Sequence, residues 1–354
     1  MAGRSLACAK PKDIDMSEIT TNSAEAAVPS RRWLSALKQL AISLAIALVV
    51  LLVASYFFVP KAWAQSKELR IGFQKAASIF VLQKAQGTLE KRLSSQGVNV
   101  KWVEFPAGPQ LLEGLNVGAI DVGYVGEAPP IFAQAAGAKF GYIGNDPASP
   151  EAEALVVPKG SPIKSIAELK GKKVALNKGS NVHYLLVKLL EKNGLKYSDV
   201  NVVFLPPADA RAAFEKGAVD AWLIWDPFLS AAEKQIGARV LANGQGVVNN
   251  YLFYLAERGY AEKNPQIIKA LFDDLLERGQ WINANLKQAA AQIAPIQGLD
   301  VDIVESSLKR YPLAVKPVSA AVIAEQQKVA DVFFDLKLIP KAVSVKEAVW
   351  NAAQ

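Results

Sequence analysis

Along residues 172–194, KKVALNKGSNVHYLLVKLLEKNG, the alternation of apolar and polar positions changes period once. Residues 173–176 are a short apolar run that predicts a buried strand. Val182, Leu185, Leu186, Leu189 and Leu190 then recur at the 3–4 spacing of one buried helix face, and Asn193-Gly194 predicts the helix end. Between strand and helix lie Gly179, Ser180 and Asn181, small residues that let backbone N–H groups face outward at the positive end of the helix dipole. The turn is therefore a candidate anion seat, although Ser180 or Asn181 serving only as an N-cap is the plainer account of the same residues.

The same pattern occurs at residues 70–93, where Ile71, Gly72, Phe73, Gln74 and Lys75 align with Val174, Ala175, Leu176, Asn177 and Lys178. Further along, residues 113–132 parallel residues 212–229, setting Gly118, Asp121 and Glu127 opposite Gly217, Asp220 and Asp226. Two βαβ-like halves, beginning near 68 and 170, predict two similar α/β lobes, with chance similarity between ordinary α/β units as the alternative. Ligands of open α/β sheets sit at the carboxyl ends of strands, so facing lobes would share a cleft.

Outside the repeats, residues 39–59 carry no charge and follow Arg31, Arg32 and Lys38. Ala62-Trp63-Ala64 ahead of Gln65 is an A-x-A cleavage pattern. Together they predict an export signal, with an uncleaved membrane anchor as the alternative, and place the globular part in the periplasm. The domain reading is an extension over 1–64, a first lobe over 65–155 plus 250–354, and a second lobe over 156–249. The C-terminal residues are expected to be helices returning over the first lobe, with Ile267, Leu271 and Leu275 as packing positions.

Charge and rare residues narrow the chemistry. A net charge of +7 spread among mixed acids and bases argues against a nucleic-acid surface and suits a small anionic ligand. The only cysteine, Cys8, precedes the apolar run, so the exported part has no thiol chemistry. His183 is the only histidine, which excludes a His-based metal site, and neither a phosphate loop nor a dinucleotide fingerprint occurs. An enzyme is disfavoured and no cofactor is expected. Glu127 and Asp226 could be imagined as a glycosidase pair. Their duplicated positions, each before a proline, fit structural equivalence better, as binding residues or helix caps. Of Trp222 and Trp225, the second lies at the strand end and is the better cleft candidate.

The stretches IGFQK, WVEFPAGPQLLEGLNVGAIDVGYVGEAPPIFAQAAGA, NKGSNVHYLL, PADARAAFEKGAVDAWLIWDPF and YAEKNP together resemble the aliphatic sulfonate-binding proteins of bacterial ABC importers, over roughly residues 68–350. The resemblance implies a type II periplasmic-binding-protein fold, two α/β lobes joined by a two-segment hinge. It also implies a monomer that delivers its ligand to an ABC permease driven by a separate ATPase. By the same resemblance, the sulfonate oxygens would be held by loop backbone and by Gln74, Ser180 and Asn181, with Gly108 and Gly179 permitting close approach. The organic tail would point towards Glu127, Trp225 and Asp226. The sequence has Ala76-Ala77-Ser78 and Gly-Ser-Asn where relatives often have Gly-Thr or Gly-Ser-Ser, which bears on donor geometry and tail preference. The same scaffold serves taurine and nitrate receptors, and an anchored extracytoplasmic sensor is the reading of a different class.

Overall fold

The computed structural model describes residues 38–50 and 67–350. Residues 38–50 are helical (α1) with exposed side chains; the rest of the apolar run and the A-x-A pattern before Gln65 lie outside the described residues. Among the described residues no helix is long and apolar enough to cross a membrane.

Residues 67–350 contain two five-stranded mixed sheets of matching order. The first runs β2 (Val98–Glu104), β1 (Lys67–Phe73), β3 (Val122–Gly126), β10 (Leu252–Glu257), β4 (Phe140–Asp146). The second runs β7 (Asn201–Phe204), β6 (Lys173–Leu176), β8 (Ala221–Trp225), β5 (Glu153–Val157), β9 (Arg239–Asn243). In each sheet the first three strands are parallel, and the fourth is antiparallel to both neighbours. The fourth strand is supplied by a crossing between sheets, β5 after the first and β10 after the second. This is the type II two-lobed arrangement.

The repeated residues have matching structural work. Asp121 accepts a hydrogen bond from the Arg70 backbone N–H at 2.8 Å, and Asp220 accepts one from Lys173 N–H at 2.7 Å, so each acid ties the start of a central strand to its parallel neighbour. Gly118 and Gly217 have φ of 71° and 68°, the left-handed turn that ends α4 (Gly108–Asn116) and α7 (Pro207–Glu215). The boundary expected at 155/156 falls inside β5, which pairs wholly within the second sheet, so that sheet begins at Glu153. The second crossing, residues 244–251, spans the expected boundary at 249/250.

α6 (Asn181–Lys192) buries Val182, Leu185, Leu186, Leu189 and Leu190, each contributing roughly 1.5–3 kcal/mol. α2 (Ser78–Gln86) and α3 (Thr88–Ser94) follow β1, α5 (Ala128–Ala135) follows β3, and α8 (Phe228–Ile236) follows β8. After β10 come α9 (Arg258–Lys263), α10 (Pro265–Ala284), α11 (Leu286–Gln297), α12 (Val301–Leu308) and α13 (Ala320–Asp335). α10 and α11 pack on α2, with Ile267, Leu271 and Leu275 buried. α12 departs from the expected return over the first lobe: it packs on α8 of the second.

Candidate functional site

The carboxyl ends of β1, β3, β6 and β8 contribute to one cavity of about 30 Å³ between the lobes. It is lined from the first lobe by Gln74, Ala76, Gly108, Val125, Gly126 and Pro129, and from the second by Ser180, Asn181 and Trp225. Asn250 and Leu252 enter from the second crossing, Tyr124 from β3 and Tyr311 from beyond α12. No residue in this lining is ionisable to a carboxylate or a cation.

The electrostatics come from backbone. Gly108 is the first residue of α4, Pro129 the second of α5 and Asn181 the first of α6, so three helix N-termini converge on the cavity. Each N-terminus carries roughly half a positive charge, but the open N–H groups come chiefly from α4 and α6, because at α5 the Ala128 N–H is taken by Asn181 Oδ1 and Pro129 and Pro130 have none. An anion therefore meets positive potential with no cation to desolvate. The dimensions set a limit, since about 30 Å³ holds one or two water-sized groups. Only the head of a ligand fits.

Asn181 joins the lobes. Its Oδ1 accepts from the Ala128 N–H at 3.1 Å, and its Nδ2 donates to Asn250 Oδ1 at 2.5 Å. Asn250 has φ of 52°, a left-handed conformation that asparagine tolerates, and its Nδ2 donates to the Ser149 carbonyl at 2.9 Å. Ser149 Oγ returns a bond to the Asn250 carbonyl at 2.9 Å, so the two crossings are tied to each other and to Asn181. Gln74 Nε2 donates to the Tyr124 carbonyl at 3.0 Å. Ser180 Oγ donates to the Asn177 carbonyl at 2.7 Å, which commits its proton within its own turn rather than to the cavity.

His183 lies behind that turn. Its Nδ1 accepts from the Gly179 N–H at 3.3 Å, and its Nε2 lies 2.8 Å from Tyr197 Oη. With Nδ1 accepting, the ring proton sits on Nε2 and is donated to the tyrosine. Burial, helped by Lys178, pushes the imidazole down to about 4. The ring is a neutral prop for the Gly179 amide.

Gln74, Gly108, Ser180, Asn181 and Trp225 are thus brought together, while three other expected site residues are not in the lining. Gly179 borders a neighbouring groove. Glu127 accepts from the Tyr251 N–H at 2.9 Å, and burial lifts its carboxyl to about 7 against that bond. Asp226 is fully buried and accepts from Ser230 N–H at 2.9 Å, Ser230 Oγ at 2.6 Å and Arg310 Nη1 at 3.2 Å. Burial raises its carboxyl, and Arg310 and Ser230 partly restrain the rise. The acids expected near a ligand tail instead fasten the second crossing and the segment after α12. A buried carboxyl needs partners, and both find them away from the cavity.

Sequence reasoning missed Tyr124, Asn250 and Tyr311. Tyr311 Oη donates to the Asp226 carbonyl at 3.2 Å, and Tyr124 Oη to Asp146 at 2.7 Å, with burial pushing that carboxyl up to about 7. The NN pair at 249–250 was the one available signal, a turn-forming dipeptide before a strand. Among the described residues no cluster of three His, Cys, Asp or Glu side chains is placed to hold a metal ion.

Residues 63–297 match the NMT1-like family. The chain is 46% identical over 310 residues to a protein of Escherichia coli (strain K12) described as an aliphatic sulfonates-binding protein, covering 87% of this chain and 96% of that one. It is 28% identical over 235 residues to the taurine-binding periplasmic protein of the same strain, covering 63% and 68%. The alkanesulfonate-binding protein SsuA from Xanthomonas axonopodis pv. citri, solved bound to MOPS, superposes with a TM-score of 0.77 at 44% identity, covering 81% of this chain and 99% of that one.

Proposed function

The chain belongs to the NMT1-like family, among its aliphatic sulfonate-binding proteins, and from that premise we propose that it captures alkanesulfonates between its lobes as the solute receptor of an ABC importer. The observation that carries this reading is the cavity itself: three helix N-termini meet around uncharged polar groups. A sulfonate is a monovalent anion with three acceptor oxygens, and charge-assisted bonds from amides can hold it in a dry site. The hydrocarbon portion needs no ionic partner.

No carboxylate lines the head seat, and the two acids that might have met an ammonium tail, Glu127 and Asp226, are bonded to other partners. Nitrate would use the head seat alone and leave the cleft beyond it unfilled.

Capture works by differential affinity for the joined lobes. Asn181 spans them, so a ligand beside it is bound best when Asn181, Asn250 and the α5 N-terminus are together. In this reading the protein is exported, and it hands its ligand to a membrane permease driven by a separate ATPase. It catalyses no reaction.

The test is calorimetry and thermal unfolding of the protein with ethanesulfonate, longer alkanesulfonates, taurine, sulfate and nitrate, because native-state binding raises the unfolding temperature. Alkanesulfonates should bind with a dissociation constant on the order of micromolar or tighter, about −8 kcal/mol or better. Affinities in the tens of millimolar for every sulfonate, or a preference for taurine or nitrate, would overturn the assignment.

A further inference from the structure

We propose that the groove beside the cavity is a second subsite, which takes the organic portion of an arylsulfonate whose tail carries a hydrogen-bond acceptor. The assignment rests on the reading of the cavity as a sulfonate seat, and it extends the ligand class beyond simple alkanes.

The size of the cavity forces the question. About 30 Å³ accommodates a head, so the remaining atoms of any larger sulfonate must lie elsewhere. The adjoining groove measures about 380 Å³, within the range of roughly 300–1,000 Å³ usual for small-molecule sites. Both lobes build it: Pro109 and Gln110 come from α4 and Phe132 from α5, while Lys178 follows β6, Phe204 ends β7 and Pro206 follows it.

The two spaces are contiguous along the chain in two places. Gly108 lines the cavity and Pro109 the groove; Ser180 lines the cavity and Gly179 the groove. At the second of these Gly179 lies against the Phe132 ring, so that an added Cβ would meet the ring in van der Waals contact at 3.4 Å.

The lining selects for an aromatic. Phe204, 43% exposed at the end of β7, offers an open aromatic face to the groove. Lys178 Nζ stands 5.6 Å from the Phe204 ring centroid, so the open ring and a cation are offered together. A flat tail can pack against Phe204 in an offset-stacked arrangement while its other face meets the lysine. The acceptor preference comes from Asn177. It is 6% exposed, and its Nδ2 has no partner among the described residues. A buried donor without a partner is costly, and an acceptor on the tail would relieve it. Glu113 at the groove edge disfavours a second anionic group on the same tail.

The experiment compares the protein with its Phe204→Ala and Asn177→Leu variants by calorimetry, using ethanesulfonate, benzenesulfonate and 4-acetylbenzenesulfonate as probes. The wild type should bind 4-acetylbenzenesulfonate at least as tightly as ethanesulfonate. Phe204→Ala should weaken both aryl ligands about tenfold and leave ethanesulfonate within about twofold. Asn177→Leu should remove the advantage of the acetyl ligand over benzenesulfonate. The exposed Phe204 site keeps the test decisive should the buried Asn177 variant fail to fold. An equal effect of Phe204→Ala on all three ligands, or no effect on any, overturns the subsite. If the wild type binds ethanesulfonate but neither aryl ligand, the groove assignment fails alone. If it binds no sulfonate, the cavity reading fails and takes the groove with it.

Discussion

A methyl group on Gly126 is the sharpest test of the way the lobes are joined. The glycine ends β3 in the first lobe, and a Cβ built on it would overlap all three terminal atoms of the Asn181 side chain from the second. Its φ is not in the left-handed region, so alanine fits the backbone and the damage is confined to the contact. Asn181 must turn away, losing its bonds to the Ala128 N–H and to Asn250 Oδ1. Two hydrogen bonds at about 0.5–1.5 kcal/mol each amount to roughly 1–3 kcal/mol against the joined state. At about 1.4 kcal/mol per tenfold, Gly126→Ala should weaken alkanesulfonate binding roughly 5- to 150-fold by calorimetry. Ligand-free unfolding should change little, because separation of the lobes relieves the overlap. Asn181→Gly removes the same bonds, so adding Gly126→Ala to it should cost almost nothing more, a strongly non-additive cycle. Wild-type affinity in Gly126→Ala, or simple addition of the two losses, would refute the argument.

Three further outcomes concern buried charge. Arg310→Ala strips the fully buried Asp226 of its cation and should lower the urea-unfolding free energy by about 3 kcal/mol, the lower end for a broken buried pair because Arg310 is partly exposed; an unchanged midpoint would count against the role given to this pair. His183 has a folded pKa near 4, below its ordinary 6.5, so the fold favours the neutral ring. Its contribution, about 3 kcal/mol, is present above 6.5 and lost as pH falls towards 4, and His183→Gln should flatten that part of the acid limb. Glu127 and Asp146 have the opposite sign: carboxyls raised to about 7 favour the protonated form, so their contribution is present below about 4 and lost as pH rises through 7. Glu127→Gln should therefore gain stability relative to wild type between pH 4.5 and 8, measured by chemical unfolding at each pH, and a constant difference across that range would contradict the burial argument.

The two-lobed architecture was legible because the strand, turn and helix pattern of each repeat is local, recorded in spacings of two to four residues. Asp121 and Asp220 illustrate it: both close the same strand junction, each in its own lobe. Gln74, Ser180, Asn181 and Trp225, grouped by the family resemblance, each follow or end a strand that the pattern predicts, and all four line the cavity. The boundary expected near 155 falls inside β5, whose allegiance depends on pairing with β8 and β9, which follow it by dozens of residues.

For the acids, local pattern could not decide orientation. Glu127 and Asp226 occupy equivalent places before prolines, yet one meets the Tyr251 amide and the other Arg310, partners 124 and 84 residues away. A buried carboxyl goes where donors are: Ser230 supplies Asp226 locally, but the Tyr251 amide and Arg310 are in place only after the chain has crossed back and α12 has packed on α8. The sequence by itself determined two similar lobes, their strand ends and a candidate seat for an anion. Tertiary structure alone decided which side chains share that seat, that the acids are excluded from it, and that Asn250 and Tyr311 enter it, because burial and hydrogen-bond satisfaction are properties of the assembled chain.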